Sequence, residues 1–109
     1  MSAGTVVGLW IWERYYIVNI LEDGTYGFFT GTDIFEPEFG SFSEASRFTT
    51  AGAEESLRIL QTNGYKRKKN ASKLVQKVAD SIEDKAYQLQ FLMDNVTLET
   101  PENVRHMEL

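Results

Sequence analysis

The sequence contains no cysteine and a single histidine, His106, and these two scarcities exclude several kinds of site. Without cysteine the chain has no disulfide, no thiolate metal ligand and no thiol nucleophile. The histidine lies close to the last residue, where ordering is poor, whereas Ser-His-Asp chemistry needs an imidazole held beside a nucleophile. We therefore expect no catalytic residue, no cofactor, no metal and no enzyme activity.

Long apolar stretches are also absent. No run approaches the roughly 20 apolar residues that span a bilayer, and no charged segment of the signal-peptide type precedes the apolar residues 5–12. We expect a cytoplasmic protein that does not enter a membrane. With 109 residues, of which 42% are hydrophobic, the chain is long enough for one domain, residues 1–109, with its own core.

Aromatic residues are present in number but unevenly placed. Eleven of the fourteen fall between Trp10 and Phe48, among β-branched residues, and helical spacing dominates afterwards. This division predicts a β-rich part, residues 1–48, and a helical part, residues 49–109. The expected fold class is α+β, with a small antiparallel sheet (an N-terminal hairpin and a further strand) packed by two or three helices.

Asp23-Gly24 is the clearest turn signal, because this pair supplies the positive φ angles of a two-residue type I′ turn. That turn fixes a register in which Leu21 faces Tyr26 and Val18 faces Phe29. Residues 5–12 form the predicted third strand. Both faces of the hairpin are then largely apolar, so we expect either that both are covered or that one remains exposed as an adhesive surface.

The helical part is predicted from caps and apolar spacing. A short helical turn is expected within residues 41–48 and a loop within residues 31–40. Thr49 or Thr50 caps a helix that starts near Ala51 and stops at Asn63-Gly64. Residues 72–94 are predicted to form one continuous helix, from the spacing of Val75, Val78, Ile82, Ala86, Leu89 and Met93. A short strand at residues 96–98 and a final helical turn at residues 100–102 complete the prediction.

A cationic run interrupts a chain whose net charge is −5. Residues 65–77 contain no acid, and their bases oppose the dipole of a helix that begins there. The run could bind phosphates with an adjacent aromatic stacking on a base, bind an acidic protein, or be a solvated helix start. The residues of the nucleic-acid alternative are Tyr65, Lys66, Arg67, Lys68, Lys69, Lys73 and Lys77.

The aromatic residues of the β-rich part exceed what the inner face of a small sheet usually buries. Surplus exposed rings are typical of protein interfaces, and acids beside them steer association. A second copy of the chain is one way to cover such a surplus. The acidic loop lacks the alternation of an EF-hand, so we expect no metal there. The predicted partner-binding residues are Trp10, Trp12, Tyr15, Phe28, Asp33, Phe35, Glu36 and Glu38.

Part of the sequence resembles small accessory proteins of bacteriophages and prophages. The resemblance rests on three segments: Tyr16-Ile-Val-Asn with the Asp23-Gly24 turn, then residues 42–50 (FSEASRFTT), then the helix start Ala53-Glu54-Glu55. It implies a sheet strand that leads through a corner into a helix packed back on the sheet. It also implies a non-enzymatic role in binding a host macromolecule, as in inhibitors of restriction or CRISPR effectors, some of which mimic the charge of DNA.

The sequence therefore predicts a small protein that binds and occludes a host protein, such as a defence nuclease of the CRISPR type. The alternative is a nucleic-acid-binding accessory protein that uses the basic run. Salt dependence separates the two, because phosphate contacts release counterions and an aromatic protein interface does not.

Overall fold

The computed structural model describes residues 4–68 and 71–97. Five strands and three α-helices lie in these ranges, and most strand pairs are antiparallel. The predicted α+β class is confirmed. The chain divides into two compact units between residues 69 and 70, and each unit is described by itself.

The first unit is built on one sheet with the strand order β4-β3-β2-β1-β5. The central strands are long and rich in β-branched and aromatic residues, which suits a pleated, buried surface. β5 pairs parallel to β1, and every other pair is antiparallel. The strands are β1 (Thr5–Ile11), β2 (Arg14–Ile20), β3 (Tyr26–Phe29), β4 (Phe39–Gly40) and β5 (Lys66–Arg67).

The register between β2 and β3 differs by one residue from the prediction. Val18 pairs with Phe28, rather than with Phe29. The cause is the turn, which is one residue longer: the Gly24 N–H donates to the Leu21 carbonyl at 3.0 Å, and Gly24 follows in the left-handed region at φ +88°. Asp-Gly thus occupies the end of a three-residue loop with a bulge. A one-residue shift exchanges the two faces of a strand, so it changes the neighbours of every β3 side chain.

Helix α1 (Thr50–Thr62) covers one face of the sheet. Thr49 is its N-cap, and the hydroxyl accepts from the Gly52 N–H at 3.1 Å, as the sequence predicted. The helix stops at Asn63, and Gly64 follows with φ +103°. The core between helix and sheet consists of Val6, Ile17, Phe29, Leu57 and Leu60.

The opposite face of the sheet is also buried, and aromatic rings are prominent on it. The predicted helical turn is a short 3₁₀ turn, Phe42–Glu44. It places the Phe42 ring 5.0 Å from that of Tyr16 and 5.1 Å from that of Phe28. Tyr16 and Phe28 are 5% and 2% exposed. The register shift brings Phe28 to this face, so its ring joins an internal cluster.

The second unit contains two helices where one continuous helix was predicted. They are α2 (Lys73–Asp80) and α3 (Lys85–Thr97). Ser72 caps α2 through its hydroxyl, which accepts from the Val75 N–H. The Asp84 carboxylate accepts from the Ala86 N–H at 2.8 Å and caps α3. The prediction was wrong because the apolar spacing runs on through the cap residues at 81–84.

The buried residues of these helices also differ from the predicted stripe. Val78 is 43% exposed, whereas the buried set is Val75, Ala79, Gln88, Leu92, Met93 and Val96. The Gln88 amide donates to the Ala79 carbonyl at 2.9 Å and links the end of α2 to α3. Val96 is helical, so the strand predicted at residues 96–98 is wrong at that residue. Leu98, the helical turn predicted at residues 100–102, and His106 lie outside the described residues.

Candidate functional site

The turn between β1 and β2 has an unusual backbone. Ile11 pairs with Arg14, so only two residues form the turn, and both lie in the left-handed region: Trp12 at φ 50° and Glu13 at φ 66°. A type I′ turn needs these angles and normally takes Asn-Gly. For residues with a Cβ, the left-handed conformation costs about 1–2 kcal/mol each. The turn is therefore strained, and it presents a Trp side chain that is 50% exposed.

The base of this turn is held by a ring contact and by backbone hydrogen bonds. Trp10 and Tyr15 are opposite each other across the two strands, and their rings meet edge to face at 4.8 Å. The Tyr15 N–H donates to the Phe48 carbonyl at 3.1 Å, and the Phe48 N–H returns a bond to Tyr15 at 2.9 Å. Both Trp10 and Tyr15 are partly buried. These two residues stabilise the turn that carries Trp12, and they contribute little to the exposed surface themselves.

A second loop leaves the same end of the sheet. Because β2 is antiparallel to both neighbours, β3 runs toward the end of the sheet that carries the β1–β2 turn, and it pairs with β2 as far as Phe28 opposite Val18. Residues 30–38 form this loop, which the Thr30 N–H closes by donating to the Glu38 carbonyl at 2.9 Å. The Asp33 carboxylate accepts from the Phe35 N–H at 2.9 Å. This local bond turns the chain sharply and leaves Phe35 70% exposed.

Carboxylates lie close to the two exposed rings in the sequence: Glu13 follows Trp12, and Asp33, Glu36 and Glu38 are within three residues of Phe35. Glu13, Asp33, Glu36 and Glu38 are all exposed, and they outnumber the exposed cations of this end, Arg14 and Arg47. Among the described residues, neither of the two ion pairs involves any of these side chains. We call Trp12, Phe35 and the four carboxylates the ring-acid surface. It can fill an apolar pocket and satisfy a basic rim around it.

Three predicted partner-binding residues do not belong to this surface: Trp10 and Tyr15, which are partly buried, and Phe28. Phe28 is 2% exposed, within the Tyr16–Phe42 cluster, so its ring contributes to the core instead of to a contact. Glu13 does belong to it but was not among the predicted residues. Its position in a tight turn could not be read from the sequence, because Trp-Glu is not a recognised turn pair. The one available signal was the polar pair Glu13-Arg14 between two β-type runs.

The structure divides the basic run between the two units. Lys66 and Arg67 form β5, which the sequence did not predict, and the Arg67 guanidinium donates to both oxygens of Glu54 at 2.6–2.7 Å. Tyr65 packs against the core with its ring 6.0 Å from that of Phe39, so it is not presented for stacking on a base. The conflict with the helix dipole is reduced to Lys73, because the helix begins at that residue and Lys77 lies in its last turn.

The other described members of the run fall in different units. Lys68 belongs to the first unit, where its N–H donates to the Val6 carbonyl at 3.0 Å. Lys73 and Lys77 are exposed on α2 in the second unit. Lys69 lies outside the described residues. The arrangement thus offers less for phosphate binding than the sequence alone indicated.

Two absences can be stated for the described part of the chain, one of a metal-binding cluster and one of a membrane-spanning helix. Residues 4–68 and 71–97 contain no group of three or more His, Asp or Glu side chains that could hold a metal ion. No helix in these ranges is both long and apolar enough to cross a membrane. Comparison with known proteins adds no assignment: no family model, curated protein or solved structure matches the chain.

Proposed function

We propose that the protein is a small non-enzymatic binding protein that occludes a host protein through the ring-acid surface. The observation that carries this proposal is the strained β1–β2 turn, which holds an exposed Trp12 where Asn-Gly would be more stable. Strain of this kind persists only when the surrounding structure maintains it, and it concentrates at functional sites.

The two exposed rings, Trp12 and Phe35, act as the anchors of this contact. Trp and other aromatic residues dominate the energy of protein interfaces, because one ring buries a large area at little cost in conformational entropy. Trp12 stands on a hairpin braced by the Trp10–Tyr15 contact, and Phe35 on a loop closed by backbone bonds. Neither ring needs a large rearrangement to enter a pocket.

The carboxylates supply orientation and partner preference. Glu13 flanks one ring, and Asp33, Glu36 and Glu38 flank the other. Exposed acids of this kind accelerate encounter with a basic surface and disfavour acidic partners. The resemblance to phage accessory proteins favours a host defence nuclease, such as a restriction or CRISPR effector, whose nucleic-acid-binding surface would be basic. We place this binding in the host cytoplasm.

Affinity capture with matched aromatic variants tests the proposal. The full chain is immobilised and exposed to lysate of the cells in which it is made, as wild type, Trp12→Ala, Phe35→Ala and Tyr87→Ala. Tyr87 is the control, because it is 73% exposed but lies on α3. We expect one discrete protein to be captured by the wild type and by Tyr87→Ala, with affinity reduced about thirtyfold in Trp12→Ala.

Circular dichroism of each variant establishes that the fold is intact. Once the captured protein is identified, inhibition of its activity by the wild type and not by Trp12→Ala would support occlusion. Capture that persists in a combined Trp12→Ala/Phe35→Ala variant would show that binding uses another surface. Failure to capture any protein at low salt would also count against the proposal.

A further inference from the structure

Helix α2 carries an exposed aliphatic strip beside two lysines. Leu74 and Val78 are one helical turn apart and are 48% and 43% exposed. Lys73 and Lys77, with the same spacing, lie next to them and are exposed. Within the described residues, neither ion pair involves these lysines. We call these four residues the Lys-Leu strip.

The Lys-Leu strip is complementary to the ring-acid surface in two respects: both carry exposed apolar side chains, and their charges are opposite. One offers aromatic rings flanked by carboxylates, and the other offers aliphatic side chains flanked by ammonium groups. A Trp ring can pack on Leu74 and Val78 while a lysine ammonium lies over its face, which is a favourable cation–π arrangement. Glu13 and the loop acids can then meet the second lysine.

We propose that a second copy of this chain is a ligand of the ring-acid surface, docking through its Lys-Leu strip. The inference rests on the proposed function for the identity of the surface and adds a mode of regulation. Self-association and host-protein binding would compete for Trp12 and Phe35, so the binding-competent form would be favoured by dilution. The contact is heterologous, since two different surfaces of the same chain meet.

Sedimentation velocity on the full chain, from micromolar to millimolar concentration, measures the association. The variants are Trp12→Ala, which removes a ring, and Lys77→Glu, which reverses a charge of the strip. Lys66→Glu is the charge-matched control, because Lys66 is exposed on β5 and belongs to neither surface. We expect wild type and Lys66→Glu to associate alike, and association to weaken about tenfold or more in the other two.

The decisive sample is an equimolar mixture of the two defective variants. Lys77→Glu keeps the ring-acid surface and Trp12→Ala keeps the Lys-Leu strip, so one intact contact can form between them. The mixture should associate about tenfold more strongly than either variant alone, and added salt should weaken it. No contact between two like surfaces predicts this recovery.

Several results would overturn the inference. A wild type that stays monomeric at all concentrations would do so, as would a mixture that associates no better than its components. If Trp12→Ala proves misfolded, Phe35→Ala replaces it in the same mixture. The proposed function has a separate readout, because host-protein capture by a monomeric wild type would leave that function standing while removing self-association.

Discussion

Replacing Glu13 by glycine should stabilise the protein, because it relieves half of the strain in the β1–β2 turn. Glu13 has φ 66°, where a residue with a Cβ pays about 1–2 kcal/mol and glycine pays almost nothing. Glycine offsets part of this gain, since its greater freedom in the unfolded chain costs roughly 0.5–1 kcal/mol. The net expectation is a stabilisation of about 0.5–1 kcal/mol.

Thermal unfolding followed by circular dichroism is a suitable assay. For a chain of this size the expected gain corresponds to a rise in Tm of about 2–6 °C. Glu13→Ala is the matched control, because alanine removes the same carboxylate but keeps the Cβ that causes the strain. We expect the Tm of Glu13→Ala to remain close to that of the wild type.

Two outcomes would refute the reasoning about strain. A Tm that falls in Glu13→Gly would show that the left-handed turn is not a source of instability. An equal rise in Glu13→Gly and Glu13→Ala would assign the gain to removal of a negative charge. In either case the backbone of the turn would no longer indicate that an unfavourable conformation is kept for the sake of function.

Three further predictions concern local structure. Gly24→Ala should destabilise the first unit by about 1–2 kcal/mol in denaturant unfolding, because φ is +88° while nothing lies within 4 Å of the added Cβ; an unchanged midpoint would contradict this conformational cause. The pKa of Asp23 is held below its ordinary value, chiefly by the Thr25 hydroxyl. Its contribution to stability is therefore present above about pH 4 and lost as the pH falls through the lowered pKa, and an NMR titration should show the pKa rising in Thr25→Val. Ser72→Ala removes the α2 cap and should cost about 0.5–2 kcal/mol, seen as faster amide exchange in α2 with α1 unaffected.

The sequence predicted those elements whose signals are local. Thr49 caps α1 because its hydroxyl is positioned to accept an unpaired helical N–H, and Asn63-Gly64 ends the helix through a left-handed glycine. Asp23-Gly24 was correctly placed in a turn. Its register was missed because the same pair fits both a two-residue turn and the end of a three-residue loop.

Elements that depend on distant partners were not predictable in the same way. β5 is only two residues long, and it exists because Lys66 and Arg67 meet the edge of β1. The break between α2 and α3 was hidden by apolar residues that keep helical spacing across it, although Asp84 was a readable cap. Such short or interrupted elements are determined by packing more than by propensity.

The candidate site was predicted in part. Trp12, Phe35 and the acids of residues 33–38 are exposed as expected, whereas Phe28 is buried because the register of β3 differs. The strained turn could not be predicted from Trp-Glu, since its angles follow from the pairing of Ile11 with Arg14. It is the strand pairing that forces two unfavourable residues into a two-residue turn.

Site-specific photo-cross-linking is the most direct test of the central claim that the ring-acid surface binds a protein. A photoreactive phenylalanine analogue is placed at position 35 or, as the control, at the equally exposed position 87, in cells where the protein is made. We predict a discrete cross-linked product from position 35, lost when Trp12→Ala is added, and none from position 87. No product from position 35, or the same product from both positions, would contradict the account.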